Sequence, residues 1–246
     1  MKALIWNGRG IKKGVSSFLR NLILEHQFYI IGLQETMQPK IDDNILRQID
    51  PSQAYLWKWV AFKGKSGGIL SGVRMEVLDV GLFKGEFILQ LNLWDKKNKT
   101  KWNFLNVYGS PHEDQKAMFL TELASFCSGS WEPCFVGGDF NLIRFLSKKN
   151  KATPLPRHSR TFNSLISYHD LMDLGMTGGK YTRSNKQTPP TLEGPDRILV
   201  SKSWEDMFPK VVVRKIPTEM SDHNPLILYT SHHQPLRKLA FRFELS

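Results

Sequence analysis

The sequence predicts an α/β protein in which two β-sheets pack together and helices cover their outer faces. Short apolar stretches of strand length recur through both halves of the chain. Between them, several longer stretches carry apolar residues at helical spacing, so each would cover a sheet with one face. Residues 1–232 contain no long polar linker, and we expect them to form one domain with a substantial core.

Strands and helices alternate in the first part of the chain. The apolar runs at 3–6 and 28–33 have the length of buried strands, and both end in polar residues. Between them, residues 15–26 repeat apolar side chains at helical spacing, which predicts an amphipathic helix. A short polar helix is expected at 42–48.

From residue 55 onward the pattern is mainly that of strands. They are predicted at 56–62, 68–73, 77–83, 87–94 and 102–108, with a hairpin turn in solvent at 95–99. A helix is expected at 114–127, where apolar residues form a stripe and acidic residues lie near the start. The apolar run at 135–141 predicts the next strand.

The second half repeats this scheme. We predict a helix at 159–169, a short helix at 203–207, and strands at 180–184, 197–200, 211–216 and 226–229. The loop at 185–193 contains two prolines and should be exposed. The basic stretch at 233–246 is expected to connect the domain to a downstream domain that this chain lacks.

Charge indicates the kind of partner. Lysine and arginine total 34 against 23 acidic residues, a formal net charge of +11, which favours nucleic acid first and an anionic membrane surface second. No stretch approaches the length of a membrane span, and the N-terminal apolar run is too short for a signal peptide. Two cysteines cannot form a metal cage, so a structural zinc site is excluded.

The stretch at 135–141 places polar side chains at the end of a predicted strand. Gly137 and Gly138 let the backbone turn tightly and approach a ligand closely. Asp139 and Asn141 are two residues apart, so in an extended chain they would point the same way. Taken alone, the stretch is also typical of an ordinary turn, which favours the same residue types.

Other predicted strands also end in, or directly follow, side chains capable of chemistry. Each has an ordinary structural explanation, such as a turn asparagine, a solvated glutamate, a core tyrosine or a loop histidine. Six such residues at the same kind of position are much harder to attribute to chance. Besides Asp139, they are Asn7, Glu35, Tyr108, Asp196 and His223.

These residue types suit the hydrolysis of a phosphodiester. A hard cation such as Mg²⁺ binds one or two carboxylates together with substrate phosphate oxygens. Imidazolium and amide groups neutralise the charge of the transition state. Asp196 would fix the tautomer of His223 and favour its charged form. No serine or cysteine nucleophile with a convincing base is evident, so direct attack by water fits better than covalent catalysis.

Six motifs, in this order and spacing, resemble the endonuclease/exonuclease/phosphatase superfamily, which contains DNase I-like nucleases and exonuclease III-type abasic-site endonucleases. The motifs are WNGRG at 6–10, LQET at 33–36, NVY at 106–108, GGDFN at 137–141, DRIL at 196–199 and SDHNP at 221–225. Several versions look most like the endonuclease domain of LINE-type (non-LTR) retrotransposons, particularly plant ones. The resemblance implies a four-layer αββα sandwich of two mainly antiparallel or mixed sheets flanked by helices.

The resemblance also implies roles for individual residues. Glu35 would bind the metal, Mg²⁺ or alternatively Mn²⁺, with Asn7 beside it and Asp222 nearby. Asp139 would orient or deprotonate the attacking water, and Asn141 and Tyr108 would contact the scissile phosphate. His223, oriented by Asp196, would also face that phosphate. The residues expected to contact phosphate or DNA are Arg9, Thr182, Arg183, Ser184, Asn185, Lys186 and Ser221, with the loop at 185–193 as a probe of DNA shape.

Some positions depart from the family patterns. Arg9 stands where abasic-site endonucleases carry a carboxylate, so a metal contact is lost or replaced. Pro111 replaces an asparagine of those enzymes, and Glu193 and Pro195 replace the aromatic and aliphatic residues that line their abasic-sugar pocket. Arg183 follows Thr182 where many retrotransposon versions have an aromatic residue. These changes argue against a dedicated repair enzyme and remove no catalytic group.

The resulting expectation is a Mg²⁺-dependent endonuclease that nicks double-stranded DNA and leaves a 3′-hydroxyl to prime reverse transcription. A reverse transcriptase domain of the same polyprotein is the expected partner, the isolated domain is expected to be a monomer, and no membrane is involved. By resemblance it would act in the nucleus after synthesis in the cytoplasm. The alternatives are a phosphoesterase acting on phosphoinositides or other phosphodiesters, an abasic-site repair endonuclease, and a catalytically inactive DNA-binding module.

Overall fold

The structure is a computed structural model that describes residues 1–62, 67–129, 132–151 and 154–230. The elements, in chain order, are β1 (Lys2–Asn7), α1 (Lys13–His26), β2 (Ile30–Gln34), α2 (Asp43–Ile49), β3 (Tyr55–Val60), β4 (Ile69–Arg74), β5 (Leu78–Lys84), β6 (Ile88–Asp95), β7 (Lys101–Tyr108), α3 (Lys116–Ser128), β8 (Cys134–Asp139), α4 (Arg157–Tyr168), β9 (Leu171–Asp173), β10 (Met176–Thr177), β11 (Arg183–Ser184), β12 (Leu192–Glu193), β13 (Asp196–Ser201), α5 (Lys202–Met207), β14 (Val212–Lys215) and β15 (Leu226–Tyr229). Two short 3₁₀ turns lie at Glu113–Gln115 and Leu146–Lys148.

Two large mixed sheets form the centre of the molecule. The first has the strand order β10-β14-β15-β1-β2-β4-β3, and the second has the order β5-β6-β7-β8-β13-β9. Most neighbouring strands are antiparallel, but β1 runs parallel to β2, β7 to β8 and β10 to β14. A separate two-stranded hairpin, β11–β12, lies beside them.

Three apolar clusters hold the layers together. One lies between the two sheets, where Phe104 and Phe135 stack with ring centroids 4.5 Å apart. Another packs α1 against the outer face of the first sheet, and the third packs α3 and α4 against the outer face of the second. The four-layer αββα arrangement with mixed sheets is therefore confirmed. In the described part of the chain, no helix is long and apolar enough to span a membrane.

The sheets approach each other closely and are joined by a buried polar link. At Gly32 an added Cβ would lie 2.7 Å from the Phe104 ring, so only glycine allows this spacing. Next to it, the Gln34 amide donates to Asn106 Oδ1 across the sheets at 2.6 Å. Asn106 Nδ2 in turn donates to Ser71 Oγ at 2.9 Å. Because buried polar groups need partners, this link favours one alignment of the two sheets.

Most predicted elements are present, with shifts of a few residues at their ends. The strand expected at 135–141 ends at Asp139, because Asn141 turns the backbone into the left-handed region with φ 48°. The strand expected at 180–184 is reduced to Arg183–Ser184. The connection expected at 233–246 lies outside the described residues.

Candidate active site

Strand register brings the predicted polar residues to one edge of the sandwich. In the parallel pair β1–β2, Asn7 is opposite Gln34, the residue before Glu35. In the parallel pair β7–β8, Tyr108 is opposite Asp139. Strand β13 runs the other way, so its first residue, Asp196, is also opposite Asp139. The loop before β15 carries His223 to the same edge, where its backbone carbonyl accepts from the indole of Trp6 at 3.0 Å.

Two glycines allow β8 to lie in the middle of this arrangement. A Cβ at Gly137 would lie 3.1 Å from the side chain of Ile5 in the facing sheet. One at Gly138 would overlap the backbone carbonyl of Val107 on the neighbouring strand. The groups that lie close to both glycines are protein groups, so close approach of this backbone to a ligand stays a prediction.

Asp139, Asp196 and His223 form a buried cluster. Nδ1 of His223 lies 2.9 Å from Asp196 Oδ2 and 3.8 Å from Asp139 Oδ2. The side chains are 1% to 4% exposed, so water screens their charges little. Burial and the neighbouring Asp196 carboxylate raise the pKa of Asp139 to about 6, although His223 opposes the shift. Burial disfavours the charged imidazole, but the carboxylates of Asp196 and Asp139 outweigh it and raise the pKa of His223 to about 9.

Asn7 connects this cluster to Glu35. Its Nδ2 donates to Glu35 Oε2 at 3.1 Å and to Asp139 Oδ2 at 2.8 Å, and the side chain is fully buried. Its Oδ1 accepts from the backbone N–H of Arg9 at 3.0 Å. Every polar atom of this amide therefore has a partner, and Asn7 sets the distance between the two carboxylates.

Asp222 lies at the outer side of Glu35, and two arginines contact it. Nη1 of Arg9 lies 2.9 Å from Asp222 Oδ2, and its Nε lies 3.4 Å from Glu35 Oε1. Nε of Arg183 contacts the same Asp222 oxygen at 3.2 Å. Burial disfavours the Arg9 charge, but Asp222 and Glu35 outweigh it and raise the pKa of the guanidinium. Arg9, expected to contact phosphate, thus lies on the two carboxylates expected to bind metal.

Thr182 and Ser221 are inside the site and hold its parts. The Thr182 hydroxyl donates to Asp196 Oδ2 at 2.5 Å, and this residue is fully buried. Ser221 Oγ donates to the Asn7 carbonyl at 2.9 Å and accepts from the N–H of His223 at 3.1 Å. Both were expected to contact phosphate or DNA. The structure shows them as supports of Asp196 and His223, and contact with a phosphate stays a prediction.

Asn141 and Tyr108 lie beside Asp139. The N–H of Asn141 donates to Asp139 Oδ1 at 2.8 Å, and its Nδ2 donates to the Gly109 carbonyl at 2.8 Å. Because its φ is 48°, the chain is not extended there, and Asn141 does not continue the alternation of the strand. Tyr108 is 6% exposed, and its hydroxyl contributes, after Asp222 and Glu35, to raising the pKa of Arg9.

The remaining predicted residues lie on the hairpin β11–β12. The N–H of Ser184 donates to the Asp222 carbonyl at 2.9 Å, so the hairpin is attached to the site. Asn185 closes the loop, since its Oδ1 accepts from the N–H groups of Gln187 at 3.2 Å and Thr191 at 2.8 Å. Lys186 is exposed, and its ammonium contacts the Glu219 carbonyl at 2.9 Å. The loop expected to be exposed at 185–193 is exposed at 185–190, whereas Leu192–Glu193 form strand β12 and are half-buried.

One supporting residue was missed by the sequence analysis. Arg197 is 3% exposed at its side chain and forms an ion pair with Asp173 at 3.1 Å. Its Nη2 donates to the carbonyls of Leu142 at 3.0 Å and Gly194 at 2.8 Å, which follow Asp139 and precede Asp196. The guanidinium therefore braces both carboxylate-bearing segments. The available signal was an arginine inside the apolar run at 196–200, which must be paired if buried.

Comparison with known proteins agrees with this geometry. The model of the Endonuclease/Exonuclease/phosphatase family matches residues 4–223. The chain belongs to this family. No curated protein matches the chain. The family assignment covers all of the clustered residues, from Asn7 to His223.

Solved structures of other endonuclease/exonuclease/phosphatase folds superpose over most of the chain. An AP endonuclease from Leishmania major gives a TM-score of 0.72 at 16% identity and covers 92% of this chain and 86% of its own. A 3′-5′ exonuclease from Neisseria meningitidis gives a TM-score of 0.71 at 17% identity, and the match covers 93% of this chain and 99% of the exonuclease chain. The endonuclease domain of TRAS1, a telomere-specific non-LTR retrotransposon, gives a TM-score of 0.71 at 14% identity. That match covers 92% of this chain and 96% of the TRAS1 chain. At these identities the likeness shows the DNase I-like fold.

The family is generally dependent on divalent metals, and the donor set of this chain fits such an ion. Glu35, Asp139 and Asp222 offer carboxylate oxygens, the ligands preferred by hard cations. Among the described residues, Asp222 Oδ1 is buried and has no hydrogen-bond partner, which leaves it available as a ligand. The carboxylates and imidazole of Asp139, Asp196 and His223 also lie within 4.8 Å of one another. Family membership and this buried cluster together support a hydrolytic enzyme.

Proposed function

We propose that this protein is a Mg²⁺-dependent endonuclease that nicks double-stranded DNA, leaving a 3′-hydroxyl. The observation that carries the proposal is the buried cluster of Asp139, Asp196 and His223, joined through Asn7 to Glu35. It combines a carboxylate whose pKa of about 6 suits a base with an imidazole that stays charged at neutral pH.

The chain's own residues account for most of the reaction. Asp139 accepts a proton from water as its oxygen attacks phosphorus, and the bond to the 3′-oxygen breaks. The leaving oxygen takes up a proton from solvent water and becomes the 3′-hydroxyl, while the phosphate stays on the 5′ side. Because Nδ1 of His223 faces Asp196, its other ring nitrogen remains to stabilise the phosphate. Glu35 and Asp222 would hold a divalent cation, which supplies a Lewis acid that neutralises phosphate charge.

Two features favour DNA from a retrotransposition target over an abasic repair site. The net charge of +11 suits DNA of either kind and does not distinguish the two substrates. Glu193, at a position that lines the abasic-sugar pocket in repair enzymes, is paired here with Lys149 at 2.8 Å, so an apolar pocket wall is missing at this described position. The chain's motifs support a LINE-type role, particularly a plant one. The superpositions do not separate the two roles, because the TRAS1 domain and the AP endonuclease give nearly equal TM-scores of 0.71 and 0.72. In the LINE-type role the 3′-hydroxyl primes a reverse transcriptase of the same polyprotein in the nucleus, with the endonuclease domain itself a monomer.

Nicking of supercoiled plasmid tests the proposal. With Mg²⁺ we expect conversion to the open circle, and with EDTA none. Asp139→Asn should lower the rate by about 10² or more, because it removes the base while preserving shape. Asp196→Ala and His223→Ala should also abolish nicking.

Binding of the same DNA, measured by fluorescence anisotropy, is the control and should be retained in Asp139→Asn. The released end should be a substrate for polymerase extension, which identifies the 3′-hydroxyl. Nicking that survives EDTA and all three substitutions would contradict the assignment. Release of phosphate from a phosphoinositide without nicking would favour the lipid phosphoesterase.

A further inference from the structure

Arg9 occupies the position between the two carboxylates that would hold the cation. Its Nε lies 3.4 Å from Glu35 Oε1, and its Nη1 lies 2.9 Å from Asp222 Oδ2. The partners are 26 and 213 residues away in sequence, so the contact depends on the fold. A guanidinium is a permanent cation, and it cannot make way for a metal by losing its proton.

The carboxylates are fixed and the guanidinium is the part that can move. The side chains of Glu35 and Asp222 are 12% and 11% exposed, whereas that of Arg9 is 51% exposed. Asn7 also holds Glu35 Oε2, and Arg183 also holds Asp222 Oδ2. Rotation of the Arg9 side chain into solvent would therefore open the site without displacing either carboxylate.

The backbone under Arg9 is held in place during such a rotation. Its N–H donates to Asn7 Oδ1 at 3.0 Å, and the next N–H, that of Gly10, donates to the Glu35 carbonyl at 2.7 Å. The backbone of Arg9 is left-handed, with φ 49°. Only the long side chain has to change its conformation.

We propose that Arg9 is a built-in competitor for the divalent cation, whose guanidinium must leave Glu35 and Asp222 before a metal binds. This inference rests on the proposed metal-dependent function. The Arg9 guanidinium lies between Glu35 Oε1 and Asp222 Oδ2, where a metal bound by both carboxylates would lie, and like charges repel there. Bound metal and the guanidinium in this position therefore exclude each other, whereas Arg183 contacts Asp222 alone of these two carboxylates. The released guanidinium stays on the substrate-facing loop, where a DNA phosphate would become its counter-ion. Metal binding and DNA binding would then favour the same position of Arg9.

The size of the effect follows from the fraction of time that the site is closed. If Arg9 occupies the carboxylates for about nine-tenths of the time, it weakens the apparent metal affinity about tenfold. Arg9→Gln removes the charge and should therefore tighten metal binding by about that factor. Arg9→Lys keeps a charge that cannot span both carboxylates in the same way, and it should give an intermediate affinity.

The test is Mn²⁺ binding to the free protein, measured by the electron paramagnetic resonance signal of the unbound ion, with no DNA present. Lys12→Gln is the matched control, because it removes one charge three residues along the loop. In the described part of the chain, Lys12 is exposed and forms no ion pair with Glu35 or Asp222. Thermal unfolding in EDTA verifies that each variant folds. If Arg9→Gln does not fold, Arg9→Lys still allows the test.

Each result has a defined meaning. Tighter binding in Arg9→Gln, intermediate binding in Arg9→Lys and unchanged binding in Lys12→Gln support the inference. If wild-type binding requires Glu35, as tested by Glu35→Gln, but the Arg9 variants bind no more tightly, the competitor is disproved while the proposed function stands. Equal tightening in Lys12→Gln also disproves it, since net charge would then be the cause. Absence of any Glu35-dependent binding would refute metal dependence and the competitor together.

Discussion

Asp139 is ionised and His223 is charged at the same time only over a defined range of pH. The carboxylate, with a pKa raised to about 6, is ionised above that value. The imidazole, with a pKa raised to about 9, is charged below that value. Asp196 affects both groups, because it disfavours a second negative charge nearby and favours the positive one. Neutral pH therefore falls in the middle of the active range.

We expect the rate of nicking to rise with pH through about 6 and to fall again above about 9. The acidic limb reports Asp139 losing its proton, and the alkaline limb reports His223 losing its charge. Single-turnover rates on a labelled duplex with saturating Mg²⁺ measure this profile. Asp196→Asn should move the alkaline limb to lower pH, since its carboxylate raises the pKa of His223. An alkaline limb that does not move in this variant would contradict the role of Asp196.

Among the elements, the hairpin β11–β12 carries an exposed loop, residues 186–190, that makes no described contact with the catalytic groups. Its strands are attached to the site through Ser184 and Asp222, while the side chain of Asn185 closes the loop. The segment between Asn185 and Thr191 is exposed and contains a cis peptide bond before Pro189. This division suits an element that probes DNA shape from a fixed base.

Replacing residues 186–190 with a short glycine turn should change the positions of nicks and preserve nicking itself. The physical reason is that the substituted residues meet DNA, whereas the catalytic residues lie on other strands. Mapping nick sites on a long duplex by primer extension measures the change. The turn of the β6–β7 hairpin at 96–99 is the matched control. It precedes the first residue of β7, Lys101, whereas the site residue Tyr108 is at the other end of that strand. Unchanged nick positions would disprove the idea that this loop probes DNA shape.

At the scale of the whole molecule, the local parts of the site were predictable and their connections were not. A polar residue next to an apolar run is visible in sequence, so Asn7 and Glu35 were identified correctly at the ends of their strands and Asp196 at the start of its strand. Their meeting depends on two parallel strand pairs and on the link between Gln34 and Asn106, which involve distant segments. Asn141 was expected to follow strand alternation, but asparagine tolerates the left-handed conformation and the strand ends before it. The departure at Arg9 was visible, whereas its span from Glu35 to Asp222 required the fold.

Net charge acts on the molecule as a whole and sets the salt dependence of DNA binding. If about six phosphate contacts form, affinity should fall by about 10³ or more between dilute and moderately concentrated salt, because counter-ions are released on binding. Fluorescence anisotropy of a labelled duplex, with EDTA to prevent cleavage, measures the slope. A DNA affinity that does not change with salt would mean that the basic residues do not contact the DNA phosphates.

The division of the site between two sheets has a consequence for the protein during its synthesis. Asn7 belongs to the first sheet, whereas Asp139 and Asp196 belong to the second, and His223 arrives in one of the last described loops. A ribosome-bound chain that has not yet exposed His223 lacks both the imidazole and β15, which pairs with β1. Such a chain would be harmless to nucleic acid. Catalytic activity would appear late in synthesis, in a single step, when β15 pairs with β1 in the first sheet. Chains truncated before His223 would have no nuclease activity.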